Sequence, residues 1–247
     1  MGAPLIEVDS VSKSFWIPDE PRHTIREHLM AGFLPRPRRR LPVLDSVSLQ
    51  LRKGEALGVM GANGCGKSTL LKLVCGIYLP DDGTITTRAP ITPILDLGVG
   101  WNPELDAVDN VYLIGGLMGL SLAEIARGLD AMLEFAQLRP YARMHLKHFS
   151  SGMAARLAYA VAFQAVREVL ILDEVLAVGD AGFKQRCQAR YREIRAAGHT
   201  TLVVSHDPLQ IAAFCDRAVM LSGGRIVAEG AAPDVAQAYL SSLVKAG

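Results

Sequence analysis

The chain has 247 residues, 50% hydrophobic and 21% charged, with 26 Lys and Arg against 25 Asp and Glu. That length buries a full core in one large domain, and a formal net charge of +1 argues against a nucleic-acid-binding surface. Cys65, Cys75, Cys187 and Cys215 show no CxxC spacing, no secretory segment precedes them, and apolar stretches such as 111–123 are too short to span a bilayer, so the chain reads as soluble, cytoplasmic and thiol-reduced.

In chain order, LIEVDSV (5–11) and VLDSVSLQL (43–51) alternate as half-buried strands do. Residues 18–42 between them hold six arginines against three acids. Ile25, Leu29 and Phe33 there recur at the spacing of one face of a short helix. Arg36, Arg38, Arg39 and Arg40 form either a solvated loop or a surface for anionic headgroups or pyrophosphate. ALGVM (56–60) is a continuous apolar strand, followed by a glycine-rich turn and a helix from Lys67 to Cys75. GTITT and PITPIL predict short strands, and residues 109–165 are helical by pattern. VREVLILDE (166–174) and TTLVVSHD (200–207) predict two more buried strands, with helices over 181–197 and 208–214. AVMLSGGRIVAEG (218–230) predicts a hairpin turning at Gly223–Gly224, and Pro233 suits the first position of a last helix. Apolar strands alternating with helices predict an α/β fold with a mostly parallel, doubly covered sheet. The expected organisation is one domain. It comprises an N-terminal antiparallel β layer (1–60), a P-loop core (61–103 and 166–247) and an inserted α-helical subdomain (104–165).

GANGCGKST (61–69) fits G-x-x-x-x-G-K-[ST] between a strand and a helix, the context a phosphate loop requires. Gly61, Gly64 and Gly66 let the backbone curl, so that N–H groups from Gly61 through Ala62, Asn63, Cys65 and Thr69 can face phosphate oxygens. Lys67 supplies a point charge for the β- and γ-phosphates, and the Ser68 hydroxyl is a hard ligand for Mg²⁺. Asp173 closes the apolar strand VLILD and is placed to support Mg²⁺ through water. Glu174 points another way and can polarise the attacking water. His206 ends the next strand and is expected either to hydrogen-bond the γ-phosphate or to hold Glu174. FSSGM (149–153) opens an alanine-rich helix, where Ser150 or Ser151 is either an N-cap or part of a helix-terminus anion site.

The order P-loop, FSSGM, LILDE, SHD resembles the nucleotide-binding subunits of ABC transporters, across essentially the whole chain. The resemblance implies that Ser150 and Gly152 stand at the family's signature, which binds the γ-phosphate of ATP held by a second copy. It also implies a homodimer, Asp180 of LAVGD at the dimer interface, and Phe15 or Trp16 of SKSFW as an aromatic against adenine. The cofactors implied are ATP and Mg²⁺, and the partners are integral membrane permease subunits. Two departures stand out. Ser151 and Met153 replace a glycine and a glutamine of the signature, and no glutamine lies between Gln50 and Gln137, so the usual Q-loop residue is missing. Asn102 and Glu104 are candidates to replace it. LGVGWNPEL, FSSGM, LDEVLAVGD and the basic insertion together resemble the branch exporting lipid-linked polysaccharides (O-antigen, capsule or teichoic acid) from the cytoplasmic face of the inner membrane. The end at Gly247 resembles members without a carbohydrate-binding domain.

Overall fold

The computed structural model describes residues 3–18, 38–95, 100–173 and 180–245. Its strands are β1 (Ile6–Pro18), β2 (Arg38–Leu51), β3 (Ala56–Met60), β4 (Asp82–Thr87), β5 (Ile91–Ile94), β6 (Val169–Asp173), β7 (Thr200–Val204), β8 (Arg217–Ser222) and β9 (Arg225–Ala231). Its helices are α1 (Lys67–Val74), α2 (Ala107–Leu117), α3 (Leu122–Phe135), α4 (Ser151–Gln164), α5 (Ala181–Ala196), α6 (Pro208–Phe214) and α7 (Ala232–Lys245).

The central sheet runs β5-β6-β7-β3-β8-β9, parallel throughout except for the β8–β9 hairpin. Its strands β6, β7 and β3 are buried at every position but Asp173, because both faces are covered. The strand period of two divides them between two cores. Ala56, Met60, Leu170, Leu172 and Val203 face the layer of α5, α6 and α7, where Phe183, Tyr191, Ile211 and Tyr239 are buried. Leu57, Val59, Val169, Ile171, Leu202 and Val204 face α1 and a second sheet, with Ile6, Leu44, Leu51 and Leu70. That second sheet is antiparallel, ordered β2-β1-β4. Helices α2, α3 and α4, all within 104–165, enclose a third core around Val111, Ile125, Met132, Leu157 and Val161.

Three expectations need correction. The 1–60 layer does not coincide with the small sheet: β3, inside that span, lies in the central sheet, and β4, beyond it, joins the small one. The five residues of β3 are all buried, which suits a central strand, whereas β4 is mostly polar and pairs edgewise with β1. The basic insertion is not a loop or helix at its ends, because β1 and β2 continue pairing from Ser14–Pro42 out to Pro18–Arg38. The helical stripe Ile25–Leu29–Phe33, with Arg36, lies outside the described residues. Pro233 takes the second position of α7, not the first.

Candidate nucleotide site

The loop after β3 is shaped by contacts that leave no room for a Cβ. One added to Gly61 would stand 2.2 Å from the Leu221 carbonyl oxygen. Gly66 caps α1 with φ 111°, and a Cβ there would meet Leu44 Cδ2 at 2.7 Å and the Val43 oxygen at 2.9 Å. The Val43–Leu44 stretch of β2 is held from its other side by the Gly223–Gly224 turn, through a 2.9 Å hydrogen bond from Asp45 N to the Gly224 oxygen. The small sheet and the β8–β9 hairpin therefore clamp the loop.

Lys67 is 6% exposed, and its ammonium donates to the carbonyl oxygens of Gly61 (2.8 Å) and Ala62 (3.0 Å). A buried ammonium requires such partners. A cavity of about 540 Å³ opens above it. Asn63, Gly64, Gly66, Lys67, Ser68 and Thr69 line it from the loop, with Val43 from within β2, Leu95 just past β5 and Asp173 from the end of β6. Gly61, Ala62 and Cys65 belong to the loop but do not line the cavity. The sheet register explains why Asp173 arrives there: Asp173 pairs with Val204, and Val204 with Val59, two residues before the loop begins. His206 follows Val204 by two residues on the same rim and is exposed. Its turn is fixed by Ser205, whose hydroxyl accepts from Asp207 N at 3.0 Å. Glu174 lies outside the described residues.

The remaining sequence candidates are elsewhere. Ser150 is the N-cap of α4, its hydroxyl accepting from Met153 N at 3.2 Å. Ser150, Ser151 and Gly152 are all exposed, so the cap also presents its helix end to solvent. Asp180 N-caps α5, accepting from Phe183 N at 3.0 Å, and is ion-paired with Arg156 of α4. Those contacts, the Phe183 bond foremost, hold its carboxyl below the usual carboxylate range. Phe15 meets Tyr78 edge-on at 5.4 Å and does not line the cavity, and Trp16 is 63% exposed. Asn102 and Glu104, the candidates for the missing glutamine, do not line the cavity either. The Asn102 side chain caps its own turn (from Glu104 N, 3.0 Å), and Glu104 pairs with Lys147 at 2.6 Å. The buried Asn110 amide holds that turn through the carbonyls of Asn102, Leu105 and Asp106. Sequence reading missed Val43, Leu95 and Arg156. A single arginine inside AARLAYAVAF was a signal for the last; the two aliphatic residues carried none.

Strand, glycine loop and helix around a buried lysine, with a carboxylate from a neighbouring strand, define a P-loop nucleotide site. The ABC transporter family model matches residues 44–177, and the chain belongs to that family, whose activity is ATP hydrolysis. It is 36% identical over 242 residues to the ABC transporter protein AbcA of Aeromonas salmonicida, covering 97% of this chain and 77% of that one. It is 36% identical over 205 residues to the O-antigen export system ATP-binding protein RfbB of Klebsiella pneumoniae, covering 83% of each. Among solved structures, a dimeric ATP-binding cassette in a post-hydrolysis state with ADP and Pi matches with a TM-score of 0.72. It covers 92% of this chain and 98% of that one at 21% identity, a likeness of fold.

Proposed function

We propose that the chain is the ATP-hydrolysing subunit of an exporter of lipid-linked polysaccharide. Two copies would act on integral membrane permease subunits at the cytoplasmic face of the inner membrane. The observation that carries the two-copy reading is the separation of the site's halves: the cavity over Lys67 belongs to the core, while the exposed Ser150–Gly152 helix end belongs to the helical subdomain and does not line it. A helix N-terminus favours an anion, and a second copy placed head to tail supplies one. Similarity to the O-antigen export protein supports the cargo. Among the described residues no helix is long and apolar enough to cross a membrane, so translocation needs separate spanning subunits.

Ser68 and Asp173 bring hard oxygen donors to one cavity, and no three His, Cys, Asp or Glu cluster among the described residues. That donor set fits Mg²⁺, which takes few protein ligands and keeps water and phosphate oxygens. When bound, it neutralises charge on the β- and γ-phosphates. Lys67 leaves its carbonyl partners for the phosphates, and the loop N–H groups hold them in line. Glu174 accepts a proton from water as the oxygen attacks the γ-phosphorus. The bond to the β–γ bridging oxygen breaks, and ADP and phosphate result. His206 orients either the γ-phosphate or Glu174, Phe15 or Trp16 offers a face to adenine, and Asp180 meets the second copy.

The test replaces the host's gene with one encoding Glu174→Gln. Polyprenyl-linked glycan should accumulate inside while the surface polymer disappears. A normal surface without accumulation, from a protein whose ATPase is lost, would remove the polysaccharide cargo and leave the ATPase standing.

A further inference from the structure

Arg156 is the one charged residue of α4, four residues and about one turn beyond Gly152, so both lie on one face of the helix. Its side chain is 25% exposed and is held by partners on other elements. One guanidinium nitrogen donates to Gln137 Oε1 at 2.9 Å, in the turn that follows α3, where Gln137 holds a left-handed φ of 60°. The other donates to Asp180 Oδ2. The guanidinium also lies over the Phe183 ring, 5.6 Å from its centroid. Asp180 and Phe183 are themselves joined by the 3.0 Å cap bond. Phe183 in turn packs edge-on against Phe135 of α3 (5.5 Å) and Tyr159 of α4 (6.0 Å). The first turn of α5, part of the core, is thus fastened to two helices of the inserted subdomain. The aromatic cluster supplies area and little direction. Arg156 supplies direction, because a planar fork with two acceptors and a ring beneath it has one orientation.

From this geometry we infer that Arg156 is a positioning residue for ATP hydrolysis. Through Asp180 it locks the α4 helix end at Ser150–Gly152 to the first turn of α5. Asp180 follows the cavity-lining Asp173 by seven positions in the sequence, and the lock fixes the orientation of the helix end offered to the other copy. This inference rests on the two-copy reading above. It assigns to Asp180 a partner in its own chain beside any contact with the second copy.

Asp180→Asn is the informative substitution, since asparagine keeps the cap acceptor but removes the charge Arg156 pairs with. Arg156→Gln removes the fork from the other side. In the full chain, each should lower the maximal ATPase rate about tenfold while the Kd for MgATP, set by the loop, changes by less than about twofold. The double variant should be no slower than the slower single, the mark of residues acting as a unit. An unchanged rate in Asp180→Asn, or losses that multiply in the double variant, would overturn the inference. So would a fall in MgATP affinity matching the fall in rate. Gly152→Asp separates the two readings, since it should abolish ATPase if the helix end binds phosphate. Full activity there would remove the two-copy reading itself, whereas an inactive Gly152→Asp beside fully active Asp180→Asn and Arg156→Gln would remove only the role of Arg156.

Discussion

Lys67 and Gly66 carry the site at the scale of single residues, and each is held by something specific. Because Gly66 has φ 111° and touches both Val43 and Leu44, Gly66→Ala strains the backbone and pushes on β2 together. We predict a loss of about 1–3 kcal/mol of stability, read as a lowered Tm, with MgATP binding lost as well; retained affinity would show that the clamp is dispensable. Cys65 gives a second check. Burial pushes the Cys75 thiol up to about 11 and those of Cys187 and Cys215 up to about 12, so these three stay protonated at neutral pH and react slowly. Maleimide at pH 7 should therefore label Cys65 in the phosphate loop, with ATPase lost in step and MgATP protecting. Equal labelling with and without MgATP would misplace the nucleotide.

Asp180 adds a pH dependence whose sign follows from its depressed carboxyl. A carboxylate favoured in the folded state contributes stability above its unfolded value, near about 3.9, that is lost as pH falls through the lower folded value. The difference in stability between the wild type and Asp180→Asn should be constant at neutral pH and begin to shrink as the pH falls below about 4. Acid-unfolding curves that stay parallel down to pH 3 would contradict it. The phosphate loop and Asp173 were legible because their residue types and spacing state the chemistry. Arg156 was harder to read, since its partners come from sequence positions 19 and 24 residues away and only folding brings them to it.

At the scale of elements, strands buried on both faces were the easiest to read: β3, β6 and β7 each carry a largely apolar run that is buried in the central sheet. The sheet to which β4 belongs was not readable. GTITT has the same pattern whether it pairs with β1 or with a core strand, and only the register Ile6–Thr87 through Ser12–Asp82 decides. The β1–β2 arm was also hidden, because an Arg- and Pro-rich stretch reads as loop. Cross-strand pairing of Phe15 with Leu41 and Trp16 with Arg40 makes it a ribbon. That arm exposes Trp16, Ile17, Arg39 and Arg40, an amphipathic set suited to a headgroup region. Replacing Arg36, Arg38, Arg39 and Arg40 with serine should reduce sedimentation with vesicles rich in anionic phospholipid, at about 1 kcal/mol per charge. Unchanged sedimentation would assign the charges to solvent.

The whole molecule carries the Lys67 cavity and the exposed Ser150–Gly152 helix end on different subdomains, and this arrangement makes a single copy insufficient in our account. The core offers a cavity with cation, hydroxyl and carboxylate; the helical subdomain offers an exposed helix end; the Arg156–Phe183 joint sets the angle between them. The most direct measurement mixes two inactive proteins, Lys67→Ala and Gly152→Asp, at equal concentration. If each site draws its loop from one copy and its helix end from the other, a mixed pair contains one site with both mutations and one with neither. Activity should then recover to about a quarter of the wild-type rate for random pairing of two-fold symmetric copies. A mixture as inactive as its components would mean that loop and helix end serve the same copy, and the account would be wrong.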